Sequence, residues 1–155
     1  PAMNRGMDCQ TVRSGKLDLG VALLVKVLPL ARVATSISCD GHGDGPARIP
    51  FCFEWDPFWA KAVCDVLGAA APSSTWSWEG GVKIAPRGES QDFSDAEVLG
   101  MLNDVQNCAR RLMNQNTIDK IGRARIRTLE ALGDHPPTGE NFAQEARRQL
   151  AAEFS

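Results

Sequence analysis

Residues Val33–Leu67, VATSISCDGHGDGPARIPFCFEWDPFWAKAVCDVL, decide the fold. Val33, Thr35, Ile37 and Cys39 alternate with Ala34, Ser36, Ser38 and Asp40. Further on, Ala47, Ile49, Phe51 and Phe53 alternate with Arg48, Pro50, Cys52 and Glu54. Such alternation marks two strands with one buried face each. Matching the faces sets the register. Ile37 falls opposite Ile49, Val33 opposite Phe53, Thr35 opposite Phe51 and Cys39 opposite Ala47. Gly41-His42-Gly43-Asp44-Gly45 is left as the tip, where glycine permits the tight reversal. Pro50 has no N–H for a ladder bond, which predicts a sheet edge.

The stretch ends in a helix. Asp56 is predicted as its N-cap and Pro57 as its first residue. Trp59, Ala62, Val63, Val66 and Leu67 share one helical face, and Gly68 is the stop. That face is expected to pack on the hairpin's phenylalanines.

Working outward, Leu17–Leu28 is apolar on nearly all sides and reads as a buried or interface helix ended by Pro29. It is shorter than the roughly 20 apolar residues of a membrane span. Residues 1–16 show no periodicity and read as a disordered or tag-derived N-terminus, with Pro1-Ala2 before Met3 resembling a cloning remnant. Thr75–Pro86, TWSWEGGVKIAP, is a second hairpin. A three-residue loop, Glu79-Gly80-Gly81, pairs Trp78 with Val82 and Trp76 with Ile84, apolar to apolar, with Gly81 predicted left-handed. Ser94-Asp95-Ala96-Glu97 is a capping box opening a long helix. Thr117 is predicted to cap another that Gly133 closes, and Asn141–Phe154 forms the last, with Phe142, Ala146 and Leu150 on one stripe. The expected fold is α+β: a small antiparallel sheet built from two hairpins, helices on one face and a helical C-terminal layer. Residues 17–155 read as a single domain, with a helix/hairpin core over 17–93 and a helical part over 94–155.

Composition narrows the functions. The 155 residues carry a formal net charge of −2, so nothing draws the whole chain to nucleic acid or anionic membrane. Five cysteines without a CxxC pair fit neither a disulfide framework nor a zinc site. They predict buried thiols in a reducing, cytoplasmic setting.

Three clusters are candidates. Asp40, His42 and Asp44 could share a divalent cation, the one cofactor the sequence admits. Asp40-Gly41-His42-Gly43 also resembles the DGHG fragment of the metal-dependent serine/threonine phosphatase signature. That resemblance implies a metal-holding role for Asp40. It covers four residues; Asp44 stands where that family has glycine, and a strand follows in place of its helix. An EF-hand match fails because Phe51 occupies the position of the bidentate glutamate. The second cluster is Trp55, Trp59, Trp76 and Trp78, which could line an aromatic groove for a flat or cationic ligand, with Glu54, Asp56 and Glu79 nearby. The third is Arg110, Arg111, Lys120, Arg123, Arg125 and Arg127, of which Lys120, Arg123 and Arg127 share a helical face. Acidic neighbours there predict intramolecular pairing.

The sequence therefore points first to a small non-enzymatic binding or accessory module. It would contact a protein partner or small ligand through the tryptophan surface or the Pro50 edge, with self-association through the first helix. A metal-assisted hydrolase at Asp40, His42 and Asp44 is the alternative. Nucleic-acid binding through the Arg110–Arg127 region is a weaker one, and no membrane contact is expected.

Overall fold

The computed structural model describes residues 16–36, 46–69, 74–87, 93–133 and 138–155, with side chains from Val21 onward. The hairpin tip, with Asp40, His42 and Asp44, lies outside the described residues, as do Cys9, Cys39 and His135.

Helix α1 (Lys16–Val27) runs into a 3-10 turn, Leu28–Ala31, that contains Pro29. Proline tolerates this position because its missing N–H falls among the unpaired donors of a helical start. Strand β1 (Ala47–Pro50) and helix α2 (Asp56–Leu67) follow. Strands β2 (Ser74–Ser77) and β3 (Gly81–Pro86) form the second hairpin. Helices α3 (Asp95–Leu112), α4 (Gln115–Leu132) and α5 (Gly139–Phe154) complete the described chain. The fold is α+β, and no described helix is long and apolar enough to cross a membrane.

The sheet is antiparallel in the order β1-β3-β2. The described pairs follow the sequence alternation, while Ile37 opposite Ile49 and Cys39 opposite Ala47 lie outside the described residues. Trp76 stands opposite Ile84, and Thr35 bridges Phe51. The first strand of hairpin one shortens, among the described residues, to that single bridge. It still lies along β1: the Ser36 N–H donates to the Pro50 carbonyl at 2.9 Å, and the Cys52 N–H to the Ala34 carbonyl at 2.9 Å. Pro50 is thus in the terminal strand of the sheet, yet its carbonyl is already taken.

The inner sheet face, Ala47, Ile49, Val82 and Ile84, is buried, while Arg48, Lys83 and Ser77 face solvent. Helix α1 packs along α3, which covers the inner face; α5 packs between α4 and α2. Val21, Leu24 and Val27 of α1 and Phe142, Ala146 and Leu150 of α5 are buried in the same core. Among the described side chains of α1, Val21, Leu24 and Val27 are thus used inside the chain.

Several local expectations are corrected. Asp56 does not cap α2: the helix starts at Asp56 itself, without a side-chain cap. Its carboxylate instead accepts the Ala34 N–H at 3.3 Å. Phe53 leaves the buried face and is 66% exposed, because the chain turns there and the Asp56 N–H bonds the Phe53 carbonyl at 3.2 Å. The left-handed residue of the second hairpin is Gly80 (φ 73°) and not Gly81. Gly81 is required for another reason: a Cβ there would lie 2.4 Å from the Ile49 carbonyl oxygen. Asn114, not Thr117, caps α4, accepting the Asn116 and Thr117 N–H groups. Ser94 caps α3 as expected, and Gly68 and Gly133 both stop helices with positive φ.

Candidate functional site

The four tryptophans do not form one surface. Trp59 is 0% exposed and its indole N–H donates to the Ala31 carbonyl at 2.7 Å, tying α2 to the 3-10 turn. A cation does lie over its ring, but it belongs to the protein. The Arg125 guanidinium sits 5.1 Å from the Trp59 ring centre and 5.5 Å from that of Phe142. Trp55 stacks on the other ring of this group, Phe142, at 5.6 Å. Asp56 supplies the balancing charge. Burial pushes the Asp56 carboxyl up, while the Ala34 N–H and Arg125 pull it back. Burial also lowers the Arg125 pKa, and Asp56 opposes that shift. The aromatic and acidic features that suggest a cation site around Trp59 are thus satisfied internally.

Sequence reasoning placed Arg125 in a solvated basic run and missed this role. The available signal is position: Arg125 stands four residues after Ile121, on the rim of the stripe Ile121, Ala124 and Thr128, all buried. The rest of the run also pairs within the chain. Arg123 and Arg127 reach Glu153 at 3.2 and 3.0 Å, and Lys120 lies over the Phe154 ring at 5.3 Å. Arg111 donates to the Leu67 carbonyl at 2.8 Å.

On the second hairpin, Trp76 and Trp78 lie with ring centres 5.9 Å apart. The Trp76 N–H donates to the Ser74 hydroxyl at 3.0 Å, and Ser74 in turn donates to buried Asp104 of α3. Trp76 is thereby held against the helix layer. Trp78 instead helps to line a groove of about 400 Å³ with Phe51, Phe53, Phe58 and Cys52. Glu54 and Glu79 are the carboxylates of this lining. The Phe53 turn brings the loop before α2 against the Glu79-Gly80 turn, and the Phe51 N–H fixes the two by donating to the Gly80 carbonyl at 3.1 Å. Of the predicted ligand residues, the structure brings Trp78 and Glu54 together here. Trp55, Trp59 and Trp76 stand elsewhere. Phe53, Phe58 and Cys52 were missed, since strand alternation assigned Phe53 to the core.

Cys64 and Cys108 are buried thiols with sulfurs 3.9 Å apart; Cys52 is exposed, against the expectation of buried cysteines. The hydrogen bond to Cys108 and burial push the Cys64 thiol well up, which suppresses its thiolate. Among the described residues, no group of three or more His, Cys, Asp or Glu could hold a metal ion. No family model matches the chain, and neither does any curated protein or solved structure.

Proposed function

We propose that the protein is a binding module whose ligand enters the groove between the Phe53 turn and the Gly80 turn. The observation that carries this reading is the pairing of open aromatic surface with unneutralised carboxylates. Phe53 is 66% exposed and Phe58 38%, a cost in water that a bound apolar group would remove. Neither Glu54 nor Glu79 makes an ion pair among the described residues. The ligand class that suits both features is a small molecule with a flat apolar body and a positive charge. Trp78 and the phenylalanines would take the body, and Glu54 and Glu79 the charge. Binding is therefore the proposed activity.

Phenethylammonium is a suitable probe, and Cys52 in the groove wall is a built-in reporter. Saturable protection of Cys52 from alkylation, followed by peptide mapping, is expected. Trp78→Ala should abolish the protection, and a Glu54→Gln/Glu79→Gln pair should weaken it. Equal protection by uncharged phenylethanol would refute the role of the carboxylates. No protection by either compound would sink the groove reading.

A further inference from the structure

The solvent face of the sheet carries an arrangement that the groove does not use. In the β1–β3 ladder Arg48 stands directly opposite Lys83, and in the β2–β3 ladder Lys83 stands directly opposite Ser77. Directly opposed residues of antiparallel strands project from the same face, with Cβ atoms about 5 Å apart. The sheet therefore presents a row, Arg48, Lys83, Ser77, of two cations and a hydroxyl. Like charges in such a pair repel. A glutamate at either exposed position would have given an attractive pair at no packing cost. Neither Arg48 nor Lys83 makes an ion pair among the described residues.

The row also lies in a depression. Arg48, Ser77 and Lys83 line a cleft of about 360 Å³, bounded at one end by Glu79 and Gly80. That volume is on the scale of small-molecule sites. The guanidinium offers a planar fork of donors, the ammonium a mobile point charge, and the hydroxyl one further donor, the set that suits a tetrahedral oxyanion. Glu79 at the end of the cleft repels a second anionic group.

We infer that the Arg48–Lys83–Ser77 row binds the phosphate group of a small phosphate monoester whose remainder is neutral or cationic. The phosphate neutralises the two opposed cations, and Glu79 disfavours polyphosphates. The cleft shares Glu79 with the groove, but Arg48, Lys83 and Ser77, which would hold the phosphate, line the cleft and not the groove, so substitution at 48 and 83 tests this inference apart from the groove reading.

The test is titration of the whole chain with inorganic phosphate against chloride at matched ionic strength, followed by amide NMR shifts at residues 48, 77 and 83. Saturable shifts with phosphate alone are expected. Arg48→Glu and Lys83→Glu should each weaken binding by at least about tenfold, the scale of one charge-assisted hydrogen bond. Each reversal creates an attractive cross-strand pair, so both variants should melt no lower than the parent, which separates lost binding from lost folding. Pyrophosphate should bind more weakly than phosphate. Shifts that follow chloride equally, fail to saturate or persist in both variants would overturn the inference.

Discussion

Gly80 and Gly81 are neighbours with different physical reasons for being glycine, and substitution separates them. Gly80 has φ 73° and nothing within 4 Å of an added Cβ. Alanine there meets only the left-handed penalty, about 1–2 kcal/mol. Gly81 lacks a positive φ, but its Cβ would lie 2.4 Å from the Ile49 oxygen and 2.7 Å from Pro50 Cα, both backbone atoms. Bringing the shorter contact to a tolerable 3.0 Å moves β1 away from β3 by about 0.6 Å. Overpacking of this kind costs about 1–3 kcal/mol, and a weakened ladder hydrogen bond adds about 1 kcal/mol. Gly81→Ala should therefore cost about 2–4 kcal/mol and Gly80→Ala about half that. The gain from stiffening the unfolded chain is common to both variants and cancels. Asparagine accepts the left-handed region, so Gly80→Asn should recover much of the loss, whereas Gly81→Asn should be at least as costly as alanine. Urea unfolding with unchanged slope gives the four numbers. Equal costs at the two sites, or no benefit of asparagine at 80, would refute the assignment of one glycine to conformation and the other to close approach.

Further outcomes follow from the buried polar contacts. Trp59→Phe leaves the Ala31 carbonyl without its donor and should cost about 1–3 kcal/mol plus a packing loss, read by urea unfolding; a cost below half a kcal/mol would mean that the bond to the 3-10 turn is not formed in solution. Because the Asp56 carboxyl is raised above its ordinary 3.8, the folded state binds the proton more tightly than the unfolded state, so this group's contribution falls as pH rises through that interval and is level above it. Glu145 and Glu153 are lowered by Arg148 and Arg123 and act oppositely, adding stability above their ordinary 4.5 that is lost in acid. The melting temperature of Asp56→Asn minus that of the parent should accordingly grow with pH above 3.8 and then plateau; a difference that shrinks would reverse the sign assigned to Asp56. Iodoacetamide should label Cys52 well before Cys64 or Cys108, judged by peptide mapping, since the latter two are buried and hydrogen-bonded together. Comparable rates would show that α2 and α3 part readily.

Much of the fold was legible because two periodicities and a few end signals agree. The pairs Thr35–Phe51 and Trp76–Ile84 could be read from alternation alone, and Ser94, Gly68 and Gly133 from capping chemistry. What was not legible depends on partners distant in sequence. Asp56 has the composition of an N-cap, yet the Ala34 N–H claims its carboxylate. Arg125 comes to lie over the Trp59 ring across 66 residues of sequence, which no local pattern encodes. The groove was half legible: its Trp78 and Glu54 were singled out, but alternation could not show that the strand stops before Phe53.

The sheet order also bears on how the chain is assembled during synthesis. β3 is central, yet it is the last strand made. β2 and β3 can close quickly as a local hairpin, but β1 must wait for its partner until the whole of α2 and β2 has been produced. Through that interval β1 presents an open strand edge to other nascent chains, the circumstance in which edge-to-edge aggregation begins. Arg48 blunts such an edge by its charge, whereas the missing donor of Pro50 lies on the opposite side of β1, where its carbonyl accepts the Ser36 N–H. A single charge in a four-residue strand protects it while its central partner is still unmade.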